Sequence, residues 1–289
     1  AGVFTGVSSH AFTFRSSKDA MQALADRFLN AAAGGKVKYV APVGLALVTF
    51  IDVQQCTSSV DRIGWVPGRE SALWVPLLEF GGAFLPRPVL WSPYIYIDYT
   101  IGMATGREVW GWSKVWGRID VPDPASPLAP EFTCSTTMFH PMAPETRGVF
   151  GPLFKVAGKA AQPAHPTPAA STAEAFAQFM AQLFEDAGTA AGLKLSAVAL
   201  KQFRDSLDPG AACYQAICDS PVQVTRPGTV GFLAGADFTL EITTCDSHRI
   251  VQDFLGRAPD PGKTVLPIEW AVAATGLDFQ ALPGRVIAP

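Results

Sequence analysis

Apolar and polar positions alternate in many short stretches along the chain, while helical stripes are few. Ser16 or Ser17 stands where a helix N-cap belongs, ahead of a stripe through Ala20, Leu24, Phe28 and Leu29 that stops near Gly34 and Gly35. Positions 36–54 are apolar and β-branched with a period of two in places, which predicts one or two strands. Further strands are predicted over 74–85 and 90–99, the second alternating Tyr94, Tyr96 and Asp98 with Ile95, Ile97 and Tyr99. Positions 105–116 are open between a short helix and a tight aromatic loop, 121–130 read as loop, and 131–139 as strand.

Beyond that point the clearest helical stripe is Ala175, Phe176, Phe179, Met180 and Phe184, opened by Ser171 or Thr172 and closed by Gly188. The 160–170 stretch, with Pro163, Pro166 and Pro168, reads as a semi-rigid surface excursion. Strand patterns return at 196–203, 214–218, 238–244 and 269–279, with a short helix over 247–255 capped by Asp246 or Ser247. Many strands, few helices and no βαβ alternation predict an α+β fold on a largely antiparallel sheet. No boundary divides the chain, so a single domain over 1–289 is expected.

Composition narrows the partners. Hydrophobic residues make up 48% of the chain and charged residues 16%, a globular balance whose low charge is compatible with a homo-oligomer. Net charge is -3 and the basic residues are scattered, which argues against nucleic acid. The longest apolar run, 39–51, is broken by Pro42, Gly44 and Thr49, well short of the ~20 residues of a membrane span. Positions 1–14 lack the pattern of a secretion signal, and the five scattered cysteines favour reduced thiols over a disulfide framework or a zinc site. A cytoplasmic protein without metal or cofactor is the expectation.

The usual catalytic motifs are missing: no nucleophile elbow, phosphate loop, dinucleotide fingerprint or zinc-protease helix occurs. His10, His140, His165 and His248 have no metal-ligand spacing; His165 reads as solvated, His140 as a strand-end hydrogen-bonding residue and His248 as helix surface. One segment stands apart. Three of the seven tryptophans, Trp110, Trp112 and Trp116, fall within seven residues, and Lys114 lies between two of them. Burial among indoles disfavours the charged form of an amine, and a neutral amine attacks carbonyls. The competing reading is a lysine stem packed on tryptophan faces with its head in water. Lys201, in an alternating apolar segment, is a weaker rival for the amine.

The order Gly106-Arg107-Glu108, then Trp110-Gly111-Trp112, then Lys114 resembles the signature of the acetoacetate decarboxylase superfamily. That signature runs Gly-Arg-Glu, a hydrophobic residue, any residue, Gly, an aromatic, Pro and the reactive Lys. The strand-like approach from Tyr94 to Ala104 and the Leu78-Glu79-Phe80-Gly81-Gly82 stretch are similar to the family as well. The resemblance implies a closed, cone-like antiparallel β-barrel with helices outside, and commonly a homo-oligomer. It implies that Lys114 forms a Schiff base with a keto acid and that Glu79 acts as acid, base or orienting group. If 105–116 is helical, Arg107 shares a face with Lys114 two turns away and is placed to hold a substrate carboxylate, with Trp112 beside the substrate; the favoured reading has Arg107 pin the loop by pairing with Glu108 or another carboxylate.

The sequence departs from the family where Ser113 replaces the proline and Val115 replaces a second lysine. The arginine that acetoacetate-cleaving members carry near their first strand has no counterpart; Arg15 comes several residues too late. Three readings therefore stand side by side: decarboxylation of a β-keto acid through an imine on Lys114; aldol or dehydratase chemistry through the same imine without loss of CO2; and a ligand-binding protein that kept the fold without catalysis.

Overall fold

The computed structural model describes residues 2–60, 64–81, 86–123, 128–159, 167–168, 196–226, 228–233 and 235–288. The helix expected over 171–188, most of the Pro-rich stretch and His165 lie outside them. The first strands are β1 (Gly2–Arg15), β2 (Lys38–Val40), β3 (Leu45–Ser58), β4 (Val66–Phe80), β5 (Arg87–Ile97), β6 (Lys114–Trp116), β7 (Arg118–Asp120) and β8 (Glu131–Met138). Next come β9 (Val149–Gly158), β10 (Thr167–Pro168), β11 (Ser196–Arg204) and β12 (Ala212–Arg226). The last are β13 (Thr229–Leu233), β14 (Phe238–Thr243), β15 (Lys263–Ala281) and β16 (Arg285–Ala288). Helices are short: α1 (Lys18–Ala25), α2 (Ala31–Ala33), α3 (Thr100–Thr105) and α4 (Ile250–Leu255). None among the described residues is long and apolar enough to cross a membrane.

Local chemistry sets the ends of these elements. Ser17 caps α1, its Oγ accepting from the Ala20 amide at 3.2 Å, and Gly34 ends the helical stretch with φ at 56°. The helix buries Met21 and Leu24 while its polar face stays outside. β1 gave little signal because Ser8, Ser9 and His10 interrupt its apolar alternation. It is nevertheless central, paired along nearly its whole length with β3 on one side and β15 on the other.

Hydrogen-bonded neighbours run in the order β12, β11, β5, β4, β3, β1, β15, and Val222–Arg226 of β12 also pairs with the end of β15. The order thus returns to its starting strand. All these pairings are antiparallel except β5 with β11. β6 adds a second parallel partner to β5. The first part of β15 continues into a second set of strands, β14, β9, β8 and β7. Phe12 and Phe50 meet Phe132, Phe154 and Phe238 where the two sets face each other, with ring centroids 5.1 to 6.0 Å apart. Such aromatic contacts bury large apolar areas and fix the sheets against each other.

Two details differ from the sequence reading. β4 begins at Val66 instead of 74, which brings Glu70 inside a strand. α4 begins at Ile250 without a side-chain cap, so His248 precedes the helix; it is half-buried with its ring 5.7 Å from that of Tyr96.

Candidate active site

Register gathers several strand ends at one place. Gly2 of β1 lies opposite Ser58 of β3 and Ala281 of β15, and Cys56 lies opposite Val66 of β4. The segment after β5 closes over this end. α3 passes into a wide π-helical turn, Gly106–Trp110, and Gly111 then stops the helix with φ at 79°. A tight turn follows, in which the Lys114 amide donates to the Trp112 carbonyl at 2.7 Å, before β6 joins β5 with Lys114 opposite Ile95.

Several residues of the motif have a mechanical task. Arg107 donates from Nη1 to the Lys114 carbonyl at 3.0 Å, fastening the backbone of that lysine. The Ser113 hydroxyl donates to the Pro93 carbonyl at 2.9 Å and ties the loop to β5. Trp110 is buried, donates to the Leu282 carbonyl at 3.3 Å, and stacks on Trp112 with centroids 5.9 Å apart. A Cβ on Gly111 would meet Lys201 Cβ at 2.4 Å, so only glycine fits against β11 there.

The Lys114 side chain is 4% exposed, and its nitrogen lies 2.6 Å from Oε2 of Glu70 and 4.8 Å from the Trp112 ring centroid. The stem runs so close to Gly106 that a Cβ there would meet Lys114 Cδ at 2.6 Å. Lys114 faces a cavity of ≈ 260 Å³ lined among others by Phe4, Cys56, Tyr99, Trp110 and Trp112. The Tyr99 hydroxyl donates to Cys56 Sγ at 3.5 Å, and the Tyr99 ring is held between Gly68 and Gly102, where a Cβ would come within 2.1 Å of it. Burial pushes the Tyr99 phenol well up, with Cys56 and Glu70 adding to the effect. Burial likewise pushes the Cys56 thiol up, against the Tyr99 hydrogen bond and the charge of Lys114. Both groups therefore keep their protons at neutral pH. The site combines an enclosed amine, a carboxylate in contact with it, and two neutral proton donors.

The structure does not bring Glu79 to this place. Nine residues separate it from Glu70 on β4, roughly 30 Å of strand at about 3.3 Å per residue. Its carboxylate instead takes a bidentate grip from Arg87 Nη2, at 3.0 and 2.8 Å, and accepts from the Tyr39 hydroxyl at 3.0 Å. Arg87 also reaches Asp219 at 2.8 Å and Ser196 at 3.0 Å, across the parallel β5 and β11 junction that has two paired positions. Glu79 thus closes a strand junction. Arg107 is a correction as well: its side chain is exposed and does not line the cavity, because the chain leaves the helix at Gly111 and never completes the second turn that would put it beside the amine. Trp112 does line the cavity. Lys201 lies outside it, donating to the Val109 carbonyl at 3.3 Å. Glu70, Tyr99 and Cys56 were missed; the one available signal was an acid heading the apolar run that starts at Ala72.

Residues 3–136 match the family described as Acetoacetate decarboxylase (ADC). No curated protein matches the chain by sequence. Among solved structures, acetoacetate decarboxylase from Legionella pneumophila superposes with a TM-score of 0.63 at 12% identity, covering 99% of this chain and 87% of that one. The enduracididine biosynthesis enzyme MppR in complex with pyruvate gives 0.57 at 15% identity, covering 100% and 91%. An acetoacetate decarboxylase-like enzyme from Sphingomonas wittichii RW1 gives 0.54 at 14%, covering 97% and 93%. At these identities the solved structures establish the shared fold.

Proposed function

We propose that this chain is a diverged member of the acetoacetate decarboxylase-like superfamily and a lyase that forms a Schiff base between Lys114 and a keto acid. In this reading the returning strand order is the closed, cone-like barrel of that superfamily, with the amine at one end. The observation that carries the proposal is the Lys114 nitrogen, enclosed at a cavity and 2.6 Å from Glu70.

The contact gives the ammonium proton a place to go. Transfer from Nζ to Glu70 Oε2 leaves a neutral amine, which adds to the substrate carbonyl. Glu70, now carrying a proton, returns it to the hydroxyl of the carbinolamine, which leaves as water and creates the iminium. The iminium withdraws electrons from the neighbouring carbon–carbon bond. With a β-keto acid, CO2 departs, the enamine carbon takes a proton, and water then releases the ketone and regenerates Lys114.

Aldol or dehydratase chemistry starts from the same iminium, and one feature favours it as the second reading. Tyr99 and Cys56 stand at the cavity as neutral donors, suited to protonating a departing or forming hydroxyl.

Incubation with pyruvate or acetoacetate and borohydride, followed by peptide mass mapping, should place the adduct on Lys114. Lys114→Arg should abolish it, since a guanidinium is no neutral amine. No adduct with any small keto acid, or full labelling of the arginine variant, would overturn the proposal. Headspace CO2 then separates decarboxylation from the second reading.

A further inference from the structure

The cavity at Lys114 is larger and more aromatic than a three-carbon acid requires. It measures ≈ 260 Å³. An apolar cavity of about 150 Å³ takes one benzene ring, which leaves about 110 Å³ of this one for a keto acid head. The lining supplies an aromatic wall. Phe279 stacks on Phe4 at 4.6 Å between centroids and an interplanar angle of 17°. Phe4 and Trp110 flank Gly2, where a Cβ would lie 3.0 Å from the Phe4 ring and 3.5 Å from the Trp110 edge. Trp110 stacks on Trp112 at 29°, and Trp112 places its ring 4.8 Å from the reacting nitrogen. Val66, Ile101 and Val109 add to the apolar lining. Lys114 is the one cation lining the cavity among the described residues.

Aromatic rings prefer offset or edge contacts with other rings, at centroid separations of about 4.5–7 Å. A ring standing a few bonds from a carbonyl meets both requirements at once, because the indole face and the amine are neighbours. We propose that the substrate is an aryl-substituted keto acid, whose ring packs on Phe4, Trp110 and Trp112 while its carbonyl carbon reaches Lys114. This rests on the imine reading of Lys114 and adds the class of the substituent. The covalent step is unchanged: the carbonyl carbon and Nζ form the C=N bond, and the carbonyl oxygen leaves as water.

The test compares matched pairs that differ by a ring: phenylpyruvate against pyruvate, and benzoylacetate against acetoacetate. Each is titrated with borohydride present, and the concentration giving half-labelling of Lys114 is read by mass spectrometry. The aryl member of each pair should half-label at a concentration about tenfold lower. Trp112→Leu should shrink that ratio, and Phe4→Leu provides the same readout should the tryptophan variant not fold. Lys114 labelled equally well by both members, or better by the alkyl acids, would overturn this inference while leaving the imine reading intact. Labelling by none of the four would sink both.

Discussion

Adding one methyl group at Gly106 tests whether this glycine exists to let the lysine pass. A Cβ there would lie 2.6 Å from Lys114 Cδ and 2.8 Å from Cε. Carbon atoms settle at about 3.5–4.0 Å, so the stem must retreat by about 1 Å. The backbone has no objection: Gly106 sits at φ -61° and ψ -42°, where alanine is favoured over glycine by about 0.5–1 kcal/mol. The flexible lysine therefore yields first, and its nitrogen leaves the 2.6 Å contact with Glu70. A misplacement of that size costs about 10²-fold in rate. Borohydride-trapping rates on the Lys114 peptide and the urea midpoint, measured side by side, should show Gly106→Ala trapping about 10²-fold more slowly at a stability within about 1 kcal/mol of the parent. Trapping at the parental rate would refute the reasoning, as would an unfolded variant.

Three further outcomes follow from named contacts. Glu70→Gln removes the proton acceptor at Lys114 and should slow trapping at pH 7 by about 10²-fold or more; an unchanged rate would remove Glu70 from the mechanism. Glu79→Gln should lower stability by about 3 kcal/mol through the weakened Arg87 and Tyr39 contacts, measured by urea denaturation, while the folded fraction still traps at the parental rate. Slow trapping in a fully stable Glu79→Gln protein would return that residue to the chemistry. Burial lowers His10 from 6.5 to about 4. The unfolded chain therefore takes up the proton first as pH falls below 6.5, so stability is lost from there down to about 4, by roughly 2 kcal/mol for this partly enclosed ring. His10→Gln should flatten that part of the melting-temperature profile, and an unchanged slope would place the acid sensitivity elsewhere.

The contrast between Lys114 and its carboxylate explains what a sequence can carry. Lys114 was legible because its setting is local: glycine, tryptophan and arginine within eight positions build the turn that holds it, and the structure gives each a contact inside the same segment. The α+β class was legible for the same reason, since alternation is a local pattern. β1 was not, because its polar positions face neighbours that only the assembled sheet supplies.

The carboxylate depends on register. Glu70 and Glu79 share β4, and either could face the amine until the pairing with β5 is known. That pairing sets Glu70 opposite Ile97 and Glu79 opposite Arg87. β6 then runs along β5 over Ile95 to Ile97, at the Glu70 end of the strand. A reading that ranks acids by likeness of the surrounding segment selects Glu79, whose buried network with Arg87, Tyr39 and Asp219 holds the strands together. Proximity to the nitrogen is decided by hydrogen bonds between strands that lie far apart in the chain, and by that measure the carboxylate beside the amine is that of Glu70.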